Sequence, residues 1–167
     1  MTTSPEPARV VLRPTWRHLA DPVHCIALGF GSGLAPFAPG TFGSLVGLGV
    51  ALALAPLGLA WNLAAVLIAV LGGIWICGES ARRLGVHDHP AIVWDEVAGM
   101  MIAMLAAPDG WWGALLAFAL FRLFDILKPW PIREIDHGLG GGAGIMLDDV
   151  LAGIFAALGL TLVGYVT

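Results

Sequence analysis

Charged side chains are scarce in this chain. Lys, Arg, Asp and Glu make up 12% of its 167 residues and apolar residues make up 58%, whereas a soluble domain typically carries about 25% charged residues. This deficit argues against an ordinary water-facing surface and indicates a membrane protein. Eight Lys and Arg stand against twelve Asp and Glu, which excludes a nucleic-acid partner, because binding a phosphate backbone needs a clustered excess of basic residues.

Cysteine is nearly absent as well. Cys25 and Cys77 are the only two, so neither a disulfide framework nor a thiolate metal site is indicated. The first 20 residues contain three prolines and three arginines but lack the apolar core of a secretory signal. We expect residues 1–20 to form a flexible cytoplasmic arm within a single membrane-embedded domain that takes up residues 1–167.

Apolar segments predict an all-α fold, a polytopic membrane bundle of about five helices. The segments lie at about residues 42–55, 60–78, 93–107, 111–127 and 149–166, with turns such as Pro108-Asp109-Gly110 between them. Crossing a hydrocarbon core of about 30 Å takes about 20 helical residues, so the first and third helices look short. Residues 16–30 mix apolar and polar side chains and predict an interfacial helix.

All eight Lys and Arg residues can be placed at one end of these helices. The turns at the other end, residues 56–59 and 108–110, contain none. By the positive-inside rule the basic end faces the cytoplasm, and five crossings then place the N-terminus inside. Four polar motifs fall at this same end, which predicts a cytoplasmic-side active site. A soluble or monotopic helical protein with an unusually apolar core is the alternative.

The adjacent acids Asp95 and Glu96 stand at the start of the third predicted helix. The helix dipole accounts for one acid near a helix N-terminus, at about 0.3–1 kcal/mol. Two carboxylates beside Trp94 and Val97 would repel one another in a partly dry setting, and a bound cation would relieve that repulsion. We therefore interpret the pair as metal ligands.

Three charged residues at a spacing of three, Arg122, Asp125 and Lys128, share one face at the end of the fourth predicted helix. A charge deep in a membrane helix costs about 2.5–3.5 kcal/mol, so each needs a partner or an interfacial position. They form either a structural ladder of ion pairs or a site. In a site, Asp125 would serve a metal or a reacting water while Arg122 and Lys128 neutralise phosphate oxygens.

Two glycine-rich segments each allow two interpretations. Residues 140–149 are rich in glycine and end in Asp148 and Asp149. They form either a phosphate- or metal-binding loop or a flexible connector in which Asp148 is an N-cap. Residues 29–44 offer Thr41 and Ser44 at a helix N-terminus, where anions bind. That segment is either a substrate cradle or a structural re-entrant stretch.

His87 and His89 flank Asp88 in a short loop. The surrounding acids suit Mg²⁺ better than zinc, which leaves an acid/base or orienting role open for these three residues. Together the acids predict an oxygen-rich Mg²⁺ site that could bind a phosphomonoester and present an attacking water in line. A position at the membrane border suggests a lipid substrate.

The chain resembles the phosphatidylglycerophosphatase A family of bacterial membrane phosphatases. The similarity lies in Gly29-Phe30-Gly31-Ser32-Gly33-Leu34, Pro39-Gly40-Thr41 and Gly43-Ser44; Gly85-Val86-His87-Asp88-His89 and Ile92-Val93-Trp94-Asp95-Glu96; Phe121-Arg122, Asp125 and Lys128-Pro129-Trp130-Pro131-Ile132-Arg133; and Gly141-Gly142, Gly144-Ile145-Met146, Asp148-Asp149 and Ala152-Gly153. The resemblance implies Mg²⁺-dependent removal of the terminal phosphate of phosphatidylglycerophosphate at the bacterial inner membrane, giving phosphatidylglycerol.

With these motifs we assign provisional roles. Candidate catalytic residues are Asp95, Asp125 and Asp149; candidate metal ligands are Asp95, Glu96, Asp125, Asp148 and Asp149; candidate phosphate-binding residues are Arg122, Lys128, Thr41 and Ser44. The signature of the CDP-alcohol phosphotransferases is absent. A non-enzymatic ion-translocating or lipid-binding protein is the alternative, but it predicts acids spread through the bilayer depth, whereas these cluster at one end.

Overall fold

The fold is all-α in the part of the chain that the structure, a computed structural model, describes: residues 13–86, 88–130, 132 and 140–166. Three short 3-10 helices lie at Trp16–Ala20, Gly29–Leu34 and Ala55–Leu57. The α-helices are α1 (Pro22–Ala27), α2 (Pro39–Leu54), α3 (Leu59–Leu84), α4 (Trp94–Met104), α5 (Trp111–Leu127) and α6 (Gly141–Val166). Helices α2 to α6 correspond to the five predicted from the apolar segments, which confirms the fold class.

Helix α4 is the centre of the bundle. It packs against α2, α3, α5 and α6, and Val97, Ala98, Met100 and Ala103 on it are fully buried. Helix α3 lies at the outside and exposes large apolar side chains, among them Ile68 at 72%. A continuous apolar surface of this kind is not stable against water and fits a lipid-facing helix.

Three stretches are long and apolar enough to cross a membrane: Pro39–Leu57, Leu59–Leu84 and Gly141–Val163. The first predicted helix is therefore not short, because it starts three residues earlier than expected and its apolar run continues through the 3-10 helix Ala55–Leu57. Helix α4 has 11 residues, a rise of about 16 Å, which confirms the short third helix.

The interfacial segment is helical but interrupted. Asp21 separates the 3-10 helix Trp16–Ala20 from α1 and caps α1, since its Oδ1 accepts a 2.8 Å hydrogen bond from the Val23 N–H. Trp16 is 72% exposed, as expected for an aromatic side chain at a membrane border. The predicted arm is described only from Arg13 onward, and its last five residues form this 3-10 helix.

The prediction of a glycine-rich loop at residues 140–149 is wrong, because α6 begins at Gly141. A Cβ on Gly142 would collide with the Ile74 carbonyl oxygen and would lie 2.8 Å from the Gly78 nitrogen. The glycines thus let α6 approach α3 closely, as small residues do between membrane helices. Asp148 and Asp149 lie about two turns inside α6, so Asp148 is not an N-cap.

A second close approach, between α4 and α6, positions the acids. A Cβ on Gly153 would collide with the Gly99 carbonyl oxygen, and a Cβ on Gly99 would lie 2.6 Å from the Asp149 carbonyl oxygen. The two backbones are therefore nearly in contact one turn below the carboxylates. This contact brings Asp149 of α6 beside Asp95 and Glu96 in the first turn of α4.

Candidate active site

One polar cavity of about 300 Å³ collects charged residues of α4, of α5 and its C-terminal end, of α6 and of the loop before α4, and the start of α2 forms a further wall. It opens between the N-termini of α2 and α4, the C-terminus of α5 and the first turns of α6. Its charged lining residues are Asp88, Asp95, Glu96, Arg122, Asp125, Lys128, Asp148 and Asp149. The structure thus brings together all five acids that the sequence proposed as metal ligands, although they come from residues 95–149 of the chain.

Three of these acids form a tight inner cluster. Asp95, Glu96 and Asp149 each offer one carboxylate oxygen, and these oxygens all lie within 4.8 Å of one another. Asp95 is 8% and Asp149 is 3% exposed. One buried oxygen of each, Asp95 Oδ1, Glu96 Oε2 and Asp149 Oδ1, has no hydrogen-bond partner in the described part of the chain.

Such a cluster is costly unless something positive joins it, because a buried carboxylate without a partner loses its hydration uncompensated. A hard divalent cation among the three carboxylates would compensate their charge, and oxygen ligands are those preferred by Mg²⁺ and Ca²⁺. Among the described residues the cluster includes no histidine or cysteine, so its donors suit zinc less well. The residues therefore fit the magnesium ion predicted from the sequence.

The other two acids are paired with cations instead. Asp125 forms an ion pair with Arg122 one turn earlier on α5. Asp148 Oδ2 accepts a 2.5 Å hydrogen bond from Lys128 Nζ, and Lys128 lies just beyond α5 with a φ of 41°. The predicted five-ligand set is thus divided into an inner group of three and two outer ion pairs.

Arg122 is held from the α2 side. Its Nη1 lies 3.4 Å from Ser44 Oγ, and the Ser44 hydroxyl donates a 2.8 Å hydrogen bond to the Gly40 carbonyl oxygen. Ser44 is fully buried behind Arg122. Neither Ser44 nor the half-buried Thr41 lies among the residues that line the cavity. Ser44 is therefore placed to support Arg122, and a direct phosphate contact by Thr41 or Ser44 stays a prediction.

Gly40 is a lining residue whose role the sequence did not single out. A Cβ there would collide with Glu96 Oε1 and would lie 3.2 Å from Arg122 Nη1. The α2 backbone consequently forms a wall of the cavity at this point. Its only sequence signal is its place in a glycine-rich stretch, and that signal does not distinguish Gly40 from its neighbours.

The histidine loop contributes less than expected. His87 lies outside the described residues. Asp88 is exposed and lines the cavity. His89 lines an adjoining cavity with Arg13, and its Nδ1 accepts a hydrogen bond from the Ala91 N–H at 3.1 Å. Burial lowers the pKa of His89, so the imidazole is neutral at pH 7 and its acid/base role stays a prediction.

Buried carboxylates beside an arginine and a lysine, at one end of an apolar helix bundle, define a membrane enzyme suited to phosphate chemistry. The comparison with protein families agrees: residues 25–164 match the family model of phosphatidylglycerophosphatase A, and the chain belongs to that family. It is therefore an enzyme of the phosphatase class. This confirms the resemblance noted in the sequence.

Three relatives illustrate the similarity. The Haemophilus influenzae phosphatidylglycerophosphatase A is 51% identical over 84% of this chain and 87% of its own length. The Escherichia coli phosphatidylglycerophosphatase A is 43% identical over 88% and 86%. A Bacteroides thetaiotaomicron protein with the name "Putative phosphatidylinositol-3-phosphatase" is 42% identical over 78% and 86%. No solved structure matches the chain.

Proposed function

We propose that the chain hydrolyses the terminal phosphomonoester of phosphatidylglycerophosphate to phosphatidylglycerol and inorganic phosphate, with Asp95, Glu96 and Asp149 holding Mg²⁺. The observation that carries this proposal is the inner cluster, whose buried oxygens lack partners in the described part of the chain. The relatives from Haemophilus influenzae and Escherichia coli carry the name of this activity. When bound, the ion would supply Lewis acidity and a more acidic water molecule.

Arg122 is the residue best placed to bind the phosphoryl group that is transferred to water. Its Nε–H is buried and has no acceptor in the described residues, while its Nη1 is held by Asp125 and Ser44. Because Arg122 also lines the charged cavity, its fixed guanidinium favours a phosphate oxygen at the cavity wall. Lys128 adds positive charge on the same side of the cavity.

Hydrolysis also needs an attacking water molecule and a group that accepts its proton. We propose that water attacks the phosphorus directly, without a phospho-aspartyl intermediate, because several acids converge on the cavity. Asp125 lies beside Arg122 and is the candidate acceptor of the water proton. The phosphorus–oxygen ester bond breaks, the proton taken up by Asp125 passes to the departing oxygen, and phosphatidylglycerol leaves as an alcohol while Arg122 stays paired with the phosphate.

We place the cavity at the cytoplasmic face of the bacterial inner membrane. In the described residues the basic side chains lie at the cavity end, including Arg13, Arg83 and Lys128, and the far turns Ala55–Leu57 and residues 108–110 contain neither Lys nor Arg. We propose that the N-terminus lies inside; α2, α3 and α6 are long enough to cross the membrane, whereas the 11 residues of α4 reach through only about half of a core of about 30 Å. The enzyme assignment replaces the non-enzymatic alternative.

The substrate proposal is tested by phosphate release from two lipids by the purified protein. One lipid is phosphatidylglycerophosphate, and the other is phosphatidylinositol 3-phosphate, the substrate in the name of the Bacteroides thetaiotaomicron relative. We expect a higher kcat/KM for phosphatidylglycerophosphate. A higher kcat/KM for the inositol lipid would assign that lipid as the substrate instead. No release of phosphate from either lipid would contradict the proposal.

A Gly40→Ala variant tests the geometry of the cavity wall. The added methyl group would displace the Glu96 carboxylate or the Arg122 guanidinium, and misplacement of about 1 Å can cost up to about a hundredfold in rate. We expect kcat to fall at least about tenfold while thermal unfolding stays cooperative. Gly72→Ala is the matched control, since its nearest neighbour lies at 4.0 Å. Equal turnover in both variants would show that the reacting phosphate does not depend on this wall.

A further inference from the structure

A second cavity, apolar and separate from the charged one, lies further along α2 and α5. Helix α5 presents Leu115, Ala119, Arg122 and Ile126 at spacings of four, three and four, which place them on one face. Arg122 and Ile126 line the charged cavity, whereas Leu115 lines an apolar cavity further along. One face of α5 therefore borders both cavities.

Helix α2 presents a matching stripe on the opposite side of the same seam. Thr41, Leu45, Leu48 and Leu52 follow the same spacings, beginning beside Gly40 of the charged cavity. Leu48 and Leu52 line the apolar cavity together with Trp111, Ala114 and Leu115. We call the space between the two stripes the α2–α5 seam.

The seam is lined by apolar side chains, and the part of it between Ile126 and Leu115 is about as long as one leaflet is thick. The apolar cavity has a volume of about 590 Å³, and Leu52 and Leu115 on its walls are 49% and 48% exposed. From Ile126 to Leu115 the helix rises about 16 Å at 1.5 Å per residue. A hydrocarbon core of about 30 Å has leaflets about 15 Å deep.

We propose that the α2–α5 seam holds an acyl chain of the phospholipid substrate while its headgroup phosphate lies in the charged cavity. This inference rests on the proposed function. The argument for this occupant is continuity, because the stripe that carries the phosphate-binding candidate Arg122 also carries the apolar wall at Leu115. The acyl chain moves from the apolar lipid to an apolar seam and therefore gains little free energy of transfer. The seam consequently orients the substrate more than it adds affinity.

Ala119 is the position at which the seam is tested. It lies between the two cavities on the α5 stripe and is exposed, so a larger side chain narrows the seam without entering the core. Ala64→Phe on the lipid-facing surface of α3 is the matched control, because Ala64 is also exposed and lies on a helix that does not line the seam. Both variants add the same side chain to a membrane helix.

The experiment measures kcat/KM with diacyl phosphatidylglycerophosphate and with its water-soluble, deacylated headgroup. We expect Ala119→Phe to lower the preference for the diacyl substrate about tenfold and Ala64→Phe to leave that preference unchanged. An equal loss on both substrates, or an unchanged preference in Ala119→Phe, would overturn the seam as an acyl-chain site. Failure of the proposed function is recognised separately, because the wild-type protein would then release phosphate from neither substrate.

Discussion

Replacing Asp95 with asparagine is expected to lower kcat/KM for phosphatidylglycerophosphate at least about a hundredfold, or about 2.7 kcal/mol of transition-state stabilisation. Asn keeps the shape of the side chain but removes one of three charges in the inner cluster with Glu96 and Asp149. The neutral amide is a weaker ligand for a hard cation. Asp149→Asn is expected to lower kcat/KM in the same way, because Asp149 contributes its carboxylate to the same cluster from α6.

A second readout separates catalysis from folding in these variants. Without metal, Asp95→Asn is expected to unfold at a temperature equal to or above that of the wild type, since one repelling charge is gone. Added Mg²⁺ is expected to raise the unfolding temperature of the wild type more than that of the variant. Asp109→Asn is the matched control, at an exposed turn on the far end of the bundle. Full activity in Asp95→Asn would remove that residue from the site.

Replacing Arg122 with alanine is expected to cost about a hundredfold in kcat/KM, since the cavity loses its fixed guanidinium and Asp125 loses its ion-pair partner. Arg122→Lys is expected to recover part of the activity, because an ammonium restores the charge but not the planar set of donors. Steady-state phosphate release measures both variants.

The control for Arg122 is Arg83→Ala. Arg83 also bridges acids, with its Nη1 2.6 Å from Asp21 Oδ2 and its Nε 2.7 Å from Glu79 Oε1, but it does not line the cavity. We expect it to keep wild-type turnover. If Arg122→Ala instead aggregates or loses cooperative unfolding, the structural ladder of ion pairs would be the correct interpretation of residues 122–128.

Much of the fold is readable from the sequence because length and apolarity decide which segments can enter a membrane. The turns at Pro56 and Pro108 mark the helix ends correctly to within a few residues. The start of α6 was missed because glycine serves both flexible loops and close helix contacts. The contact that decides, Gly142 against Gly78 of α3, lies 64 residues away in sequence and leaves no local signal.

The candidate site, like the fold, has features that the sequence predicts and features that depend on how the helices pack. Acid-bearing motifs identify the candidates, because adjacent carboxylates in an apolar sequence need a reason to be there. Sequence alone could not sort them into an inner cluster and two outer ion pairs, since Lys128 reaches Asp148 of α6 from the residue after α5. The positions of Ser44 behind Arg122 and of Gly40 against Glu96 likewise depend on how α2 packs against α4 and α5.

We propose that carboxylates from α4 and α6 share a divalent cation on which phosphate release depends. The direct measurement is release of inorganic phosphate from phosphatidylglycerophosphate by the purified protein, first with Mg²⁺, then with excess chelator, then with Mg²⁺ restored. We expect activity to disappear with the chelator and to return with the metal. Turnover that continues unchanged in the chelator would contradict the account.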